Sequence, residues 1–70
     1  MAENTTIENR FMYHAPKPGQ PEIYQAIRNK AKELAYLIDE HCHEKRERDL
    51  AMENLEMSLM WANASIARGY

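Results

Sequence analysis

The chain has 70 residues, nine of them basic and eleven acidic, for a formal net charge of −2. A chain this short holds one small domain near marginal stability, and without a positive excess it has no bulk electrostatic grip on long DNA or RNA. The single cysteine, Cys42, rules out an intrachain disulfide, so extra stability must come from a metal or from self-association, and a reducing, intracellular setting is expected.

In chain order, residues 1–10 read as a polar tail, not as a basic segment followed by an apolar stretch. No run anywhere approaches the roughly 18 apolar residues of a membrane span, so no membrane partner is expected. Residues 11–20 form an arm, Phe11-Met12-Tyr13-His14-Ala15-Pro16-Lys17-Pro18-Gly19-Gln20, that runs directly into Pro21. Three prolines and a glycine exclude regular helix there, and an extended arm is the simple expectation.

Pro21 suits a first helical position, where its missing N–H has no intrahelical partner to lose, and Glu22 complements the positive helix end. A helix is therefore expected over residues 21–42, with Ile23, Ile27, Ala31, Leu34 and Ile38 recurring every three or four residues on one face. His41-Cys42-His43-Glu44-Lys45 contains neither Gly nor Pro, so the chain reversal rests on the loss of apolar periodicity. A second helix is expected over residues 46–67, with Leu50, Met52, Leu55, Leu59, Ala62 and Ile66 on a broad stripe and Gly69 as the stop. The fold class is thus all-α: an antiparallel two-helix hairpin over residues 11–70 with an extended N-terminal arm.

Two helices cover one stripe of each other, yet Met57, Met60, Trp61 and Ala64 fall outside the first stripe of the second helix. An exposed patch of that size calls for cover, either by further copies in a homo-oligomeric bundle or by the arm folding back. Ala51, Ser58, Ala62 and Ser65 would let another backbone approach closely. A Met-rich surface also adapts to a partner other than self, which leaves a small helical adaptor or inhibitor as the competing reading.

His41, Cys42 and His43, flanked by Glu40 and Glu44, resemble metal ligands in type but not in spacing. Adjacent helical residues point about 100° apart, whereas a zinc site needs ligands that converge on one point. The same segment lacks the third orienting group and the glycine loop of a Cys–His nucleophile, so no metal, cofactor or catalytic residue is expected. The run Glu44-Lys45-Arg46-Glu47-Arg48-Asp49 reads as a solvated first turn, although Arg46 and Arg48 near a helix N-terminus are able to hold an anion. In the arm, Tyr13 and His14 are planar groups among prolines that restrict the backbone, suited to stacking on a base, with Lys17 and Arg28 available for phosphate. A purely structural role, in which Phe11 and Tyr13 staple the arm to the helices, is equally compatible with the sequence.

Several elements occur in one order with compatible spacing: Tyr13-His14-x-Pro16-x-x-Gly19-Gln20, Tyr24-x-x-Ile27-Arg28-x-x-Ala31-Lys32-Glu33-Leu34-Ala35, Arg46-Glu47-x-x-Leu50-Ala51, and Met60-Trp61-Ala62-Asn63-Ala64-x-Ile66-Ala67-Arg68. Together they resemble the helical-hairpin domain shared by phage anti-CBASS and anti-Thoeris sponges, which sequester the cyclic nucleotide signals of bacterial immunity. The pattern departs from that family at Ile23, where a basic residue is frequent, and at Lys45 and Asp49, where small hydroxyl residues are frequent.

The resemblance implies a homo-oligomer, commonly a hexamer, in the cytoplasm of the infected bacterial host. Such an assembly binds cyclic dinucleotides such as cyclic GMP-AMP between protomers and releases them unchanged. By the same resemblance Tyr13 is the base-stacking aromatic and Arg28 a phosphate contact, with His14, Lys17 and Gln20 beside them. Some members also hold cyclic trinucleotides at a separate site, where Arg46, with Arg48 nearby, looks like the phosphate-binding arginine. Cyclic ADP-ribose isomers are the corresponding Thoeris-type signals.

Overall fold

A computed structural model of the chain describes residues 5–69. Among the described residues there are three helices and no strand: α1 at Thr5–Arg10, α2 at Gln20–His41 and α3 at Lys45–Arg68. Three residues, 42–44, connect α2 to α3, and Gln20 at the start of α2 hydrogen-bonds Ile66 near the end of α3, so the two long helices form an antiparallel hairpin.

Local chemistry accounts for the helix ends. Gly19 caps α2 from a left-handed conformation, φ 85°, which a residue with a Cβ adopts only at a cost, and Pro21 sits in the first turn beside Glu22. At the other end Cys42 turns extended while its N–H still reaches the Ile38 carbonyl at 2.8 Å. The α3 helix opens with Glu47 in its first turn and closes at Gly69, φ 75°, whose N–H is shared between the Ser65 and Ile66 carbonyls at 3.1 and 3.2 Å.

The seam between α2 and α3 differs from the expected stripes. Half-buried positions on α2 are Gln20, Tyr24, Ile27, Ala31, Ala35 and Ile38, whereas Ile23 and Leu34 remain 49% and 47% exposed. On α3, Met52, Leu55, Leu59, Ala62 and Ile66 line the seam but Leu50 is exposed. Apolar residues at neighbouring positions give each helix two overlapping stripes, and packing selects one; small side chains at Ala31 and Ala35 let the helices come close.

The described part of the expected polar tail, residues 5–10, forms α1 instead, while residues 1–4 of that tail lie outside the described residues. A six-residue helix is too short to persist by itself. It is tied down where the Asn9 side chain donates to the Arg68 carbonyl at 3.5 Å and the Phe11 N–H bonds the Ile7 carbonyl at 3.2 Å.

The molecule measures 54 × 27 × 14 Å. Its thinnest dimension is close to the diameter of one helix with its side chains, about 10–12 Å, so the hairpin is a single layer. No described residue is fully enclosed. A single protomer therefore has a seam and no core.

Candidate ligand-binding site

The open end of the hairpin gathers the start of α2, the end of α3 and the arm. Polar side chains hold the arm there. The Lys17 backbone N–H donates to the Gln20 side-chain oxygen at 2.8 Å, and the Gln20 amide nitrogen donates to the Ile66 carbonyl at 3.2 Å. The His14 ring nitrogen Nε2 lies 2.7 Å from the Asn9 carbonyl, an acceptor, so Nε2 carries the proton. The Lys17 ammonium lies by Gly69, 3.6 Å from where a Cβ there would stand, and its charge complements the negative C-terminal end of α3.

The aromatic residues of the arm do not staple it. Phe11 is 85% and Tyr13 83% exposed. The arm also leaves Met57, Met60 and Trp61 on α3 uncovered, which removes the alternative in which it folds back over them. Its bonds are polar, and its rings are presented outward.

Arg28 lies two turns into α2, about 12 Å along the axis from Gln20, where its guanidinium donates to Gln25 at 2.8 Å. It borders a shallow groove of about 260 Å³ with Lys32, Ala35, Leu55 and Glu56. A second groove of similar size continues past Lys32, Tyr36, Asp39 and Met52. Neither reaches the roughly 300–1,000 Å³ of an enclosing ligand pocket, so each is an open wall and not a closed site. Across the seam, Ile27, Lys30, Leu34, Ser58 and Ala62 line a groove of about 280 Å³ that is nearly all apolar.

Arg46 and Arg48 sit at the opposite end, some 20 residues of α3 and hence about 30 Å from Ile66. The Arg46 side chain is largely exposed, 4.0 Å from Glu47. Arg48 is more covered and lies 3.9 Å from Asp49. Lys45 donates to the Asp49 carboxylate at 2.6 Å, and this hydrogen bond, with the charges of Lys45 and Arg48, holds the Asp49 pKa below its ordinary value despite some desolvation. The fold thus ties His14, Lys17 and Gln20 into the anchored arm that carries the exposed Tyr13, sets Arg28 apart along α2, and puts Arg46 and Arg48 at the far end of α3.

At the turn, His41 approaches Glu40 at 3.7 Å and Cys42 is exposed. Among the described residues no group of three or more His, Cys, Asp or Glu side chains is placed to hold a metal ion. Two features went unassigned in the sequence. The Asn63 side-chain oxygen is buried without a hydrogen-bond partner among the described residues; its signal is an amide inside the apolar run Met60-Trp61-Ala62-Asn63-Ala64. Asn9, which anchors α1, stood in a segment with no periodicity to mark it.

Residues 3–67 match the family model described as "Acb2/Tad1, hairpin domain". No curated protein and no solved structure matches the chain. The chain belongs to the Acb2/Tad1 hairpin-domain family, the anti-CBASS and anti-Thoeris sponges, which bind their ligands and are not enzymes.

Proposed function

We propose that this chain sequesters cyclic oligonucleotide immune signals without degrading them, in the cytoplasm of an infected bacterial host, and so withholds them from CBASS-type effectors. The observation that carries the reading is the arm: a polar-anchored segment that presents Tyr13 at 83% exposure beside His14 and Lys17. A ring held outward by a stiff backbone offers a stacking surface at low ordering cost.

In this reading Tyr13 stacks on a base of a cyclic dinucleotide such as cyclic GMP-AMP. Lys17 and Arg28 take the phosphates, His14 contacts the ligand edge, and Gln20 stands at the base of the same element. Because Arg28 is displaced along α2 and each groove is open, the site closes only when a second protomer contributes its own Tyr13 and Arg28. The approximate two-fold symmetry of a cyclic dinucleotide fits such an interface. Arg46 and Arg48 form a separate anion site for cyclic trinucleotides, and cyclic ADP-ribose isomers are further candidate ligands. The assembly is a homo-oligomer, a hexamer by family likeness.

Sequestration needs tight binding and abundance, not turnover. Native mass spectrometry with a panel of cyclic nucleotides counts subunits and ligands together, and denaturing the complex afterwards should return the ligand intact. Thermal melts add a second measure, since a ligand at 100 times its Kd stabilises by about 2.7 kcal/mol. A panel without any bound species, or recovery of cleaved ligand, would refute the proposal.

A second reading has its own observation. Glu53, Glu56, Met57, Met60 and Trp61 line an open groove of about 440 Å³ on the outer face of α3. That surface suits a protein partner if copies of the chain leave it open. The ligand panel and the subunit count discriminate the two.

A further inference from the structure

We infer that Gln20 is a positioning residue, whose side-chain amide locks the Tyr13 arm onto the C-terminal end of α3 and so sets where the stacking ring points. This rests on the reading of Tyr13 as the ring that meets a ligand base. Three segments converge on one amide. Its oxygen accepts the Lys17 N–H of the arm at 2.8 Å, its nitrogen donates to the Ile66 carbonyl of α3 at 3.2 Å, and the residue itself opens α2.

The last carbonyls of a helix lack intrahelical donors and must find others. On α3, the Gln20 side chain and the Gly69 N–H serve Ile66, and Asn9 serves Arg68. Those same donors tether the arm on both sides of Tyr13. Upstream, Asn9 also accepts from the His14 ring at 2.7 Å; downstream, Gln20 holds Lys17. Residues 13–17 have no regular secondary structure of their own, so without the two anchors this backbone would be ordered only on binding, at an entropic cost.

The geometry asks for glutamine specifically, because one acceptor and one donor are used at once. Glutamate keeps the acceptor for Lys17 but turns a carboxylate oxygen toward the Ile66 carbonyl. Alanine loses both bonds.

The test is a double-mutant cycle on the full chain, titrated calorimetrically with cyclic GMP-AMP and paired with amide exchange at Lys17 without ligand. Gln20→Ala should expose the Lys17 amide to exchange and weaken binding about thirtyfold, the effect of losing two hydrogen bonds of ordinary strength. In a Tyr13→Ala background the same change should add almost nothing, because its effect passes through the ring. Gln20→Glu should show a partial effect, and it replaces the alanine variant if that one fails to assemble. Unchanged Lys17 exchange, wild-type affinity in Gln20→Ala, or an equal loss in both backgrounds would each overturn the inference, the last because Gln20 would then touch the ligand itself. Failure of the stacking reading looks different: Tyr13→Ala, or the wild type, would show no ring-dependent binding, while Lys17 exchange would still decide whether Gln20 anchors the arm.

Discussion

In the homo-oligomer proposed above, replacing Trp61 with glutamate should dissolve the assembly and the helices together. Trp61 is 63% exposed on α3; with up to about 250 Å² per tryptophan, roughly 160 Å² of it awaits cover. At 25 cal/mol per Å², covering that area contributes about 4 kcal/mol, or on the order of 1,000-fold in an association constant. A glutamate forfeits this and adds the cost of taking a carboxylate out of water. Since no described residue of the lone protomer is fully enclosed, dissociation leaves little to hold α2 against α3, and helicity should fall with subunit count. Sedimentation equilibrium and circular dichroism across a dilution series measure both, with Trp61→Phe as the conservative control. The reasoning fails if Trp61→Glu keeps wild-type size and helicity, or if the wild type is a helical monomer of 8.2 kDa.

Tyr13→Ala should cost cyclic dinucleotide binding roughly 1–3 kcal/mol per stacked base, and Arg28→Ala about 1.5–3 kcal/mol per phosphate bond. Arg46→Ala, about 30 Å along α3 from Ile66 where the arm docks, should spare dinucleotides and weaken trinucleotides alone; equal losses of both ligands in all three variants, by calorimetry, would point to one shared site. Gly69→Ala should lower stability by about 1 kcal/mol through its left-handed backbone, because the added Cβ meets only the Lys17 ammonium at an ordinary 3.6 Å; a thermal melt no lower than wild type would contradict this. The Asp49 carboxylate has a depressed folded pKa through its Lys45 hydrogen bond, so its stabilisation is complete above the unfolded pKa and is lost as pH falls through the folded value. Asp49→Asn should therefore lower the melting temperature slightly at neutral pH and converge with wild type in acid, flattening part of the acid-side decline; a steeper decline would refute the assignment.

Short-range effects were legible along the chain. Pro21 with Glu22 and the left-handed Gly69 act within one helical turn of themselves, and apolar residues every three or four positions require helices whatever lies opposite. The family motif was legible for the same reason, being a set of residue types in order, and it named Tyr13 and Arg28 as residues to watch. What the sequence left open was every question of which neighbour a residue meets. Adjacent apolar positions made Ile23 and Leu34 as eligible for the seam as Tyr24 and Ala35, and only the packing of α2 on α3 selected the second pair. Whether the arm's rings covered the helices or faced outward turned on bonds between residues 46 and 59 positions apart, Gln20 to Ile66 and Asn9 to Arg68. Such pairings carry no periodicity, so neither the α1 anchor nor the double role of Gln20 leaves a mark in sequence; each arises because α3 ends with carbonyls that need donors, and folding brings the amides to them.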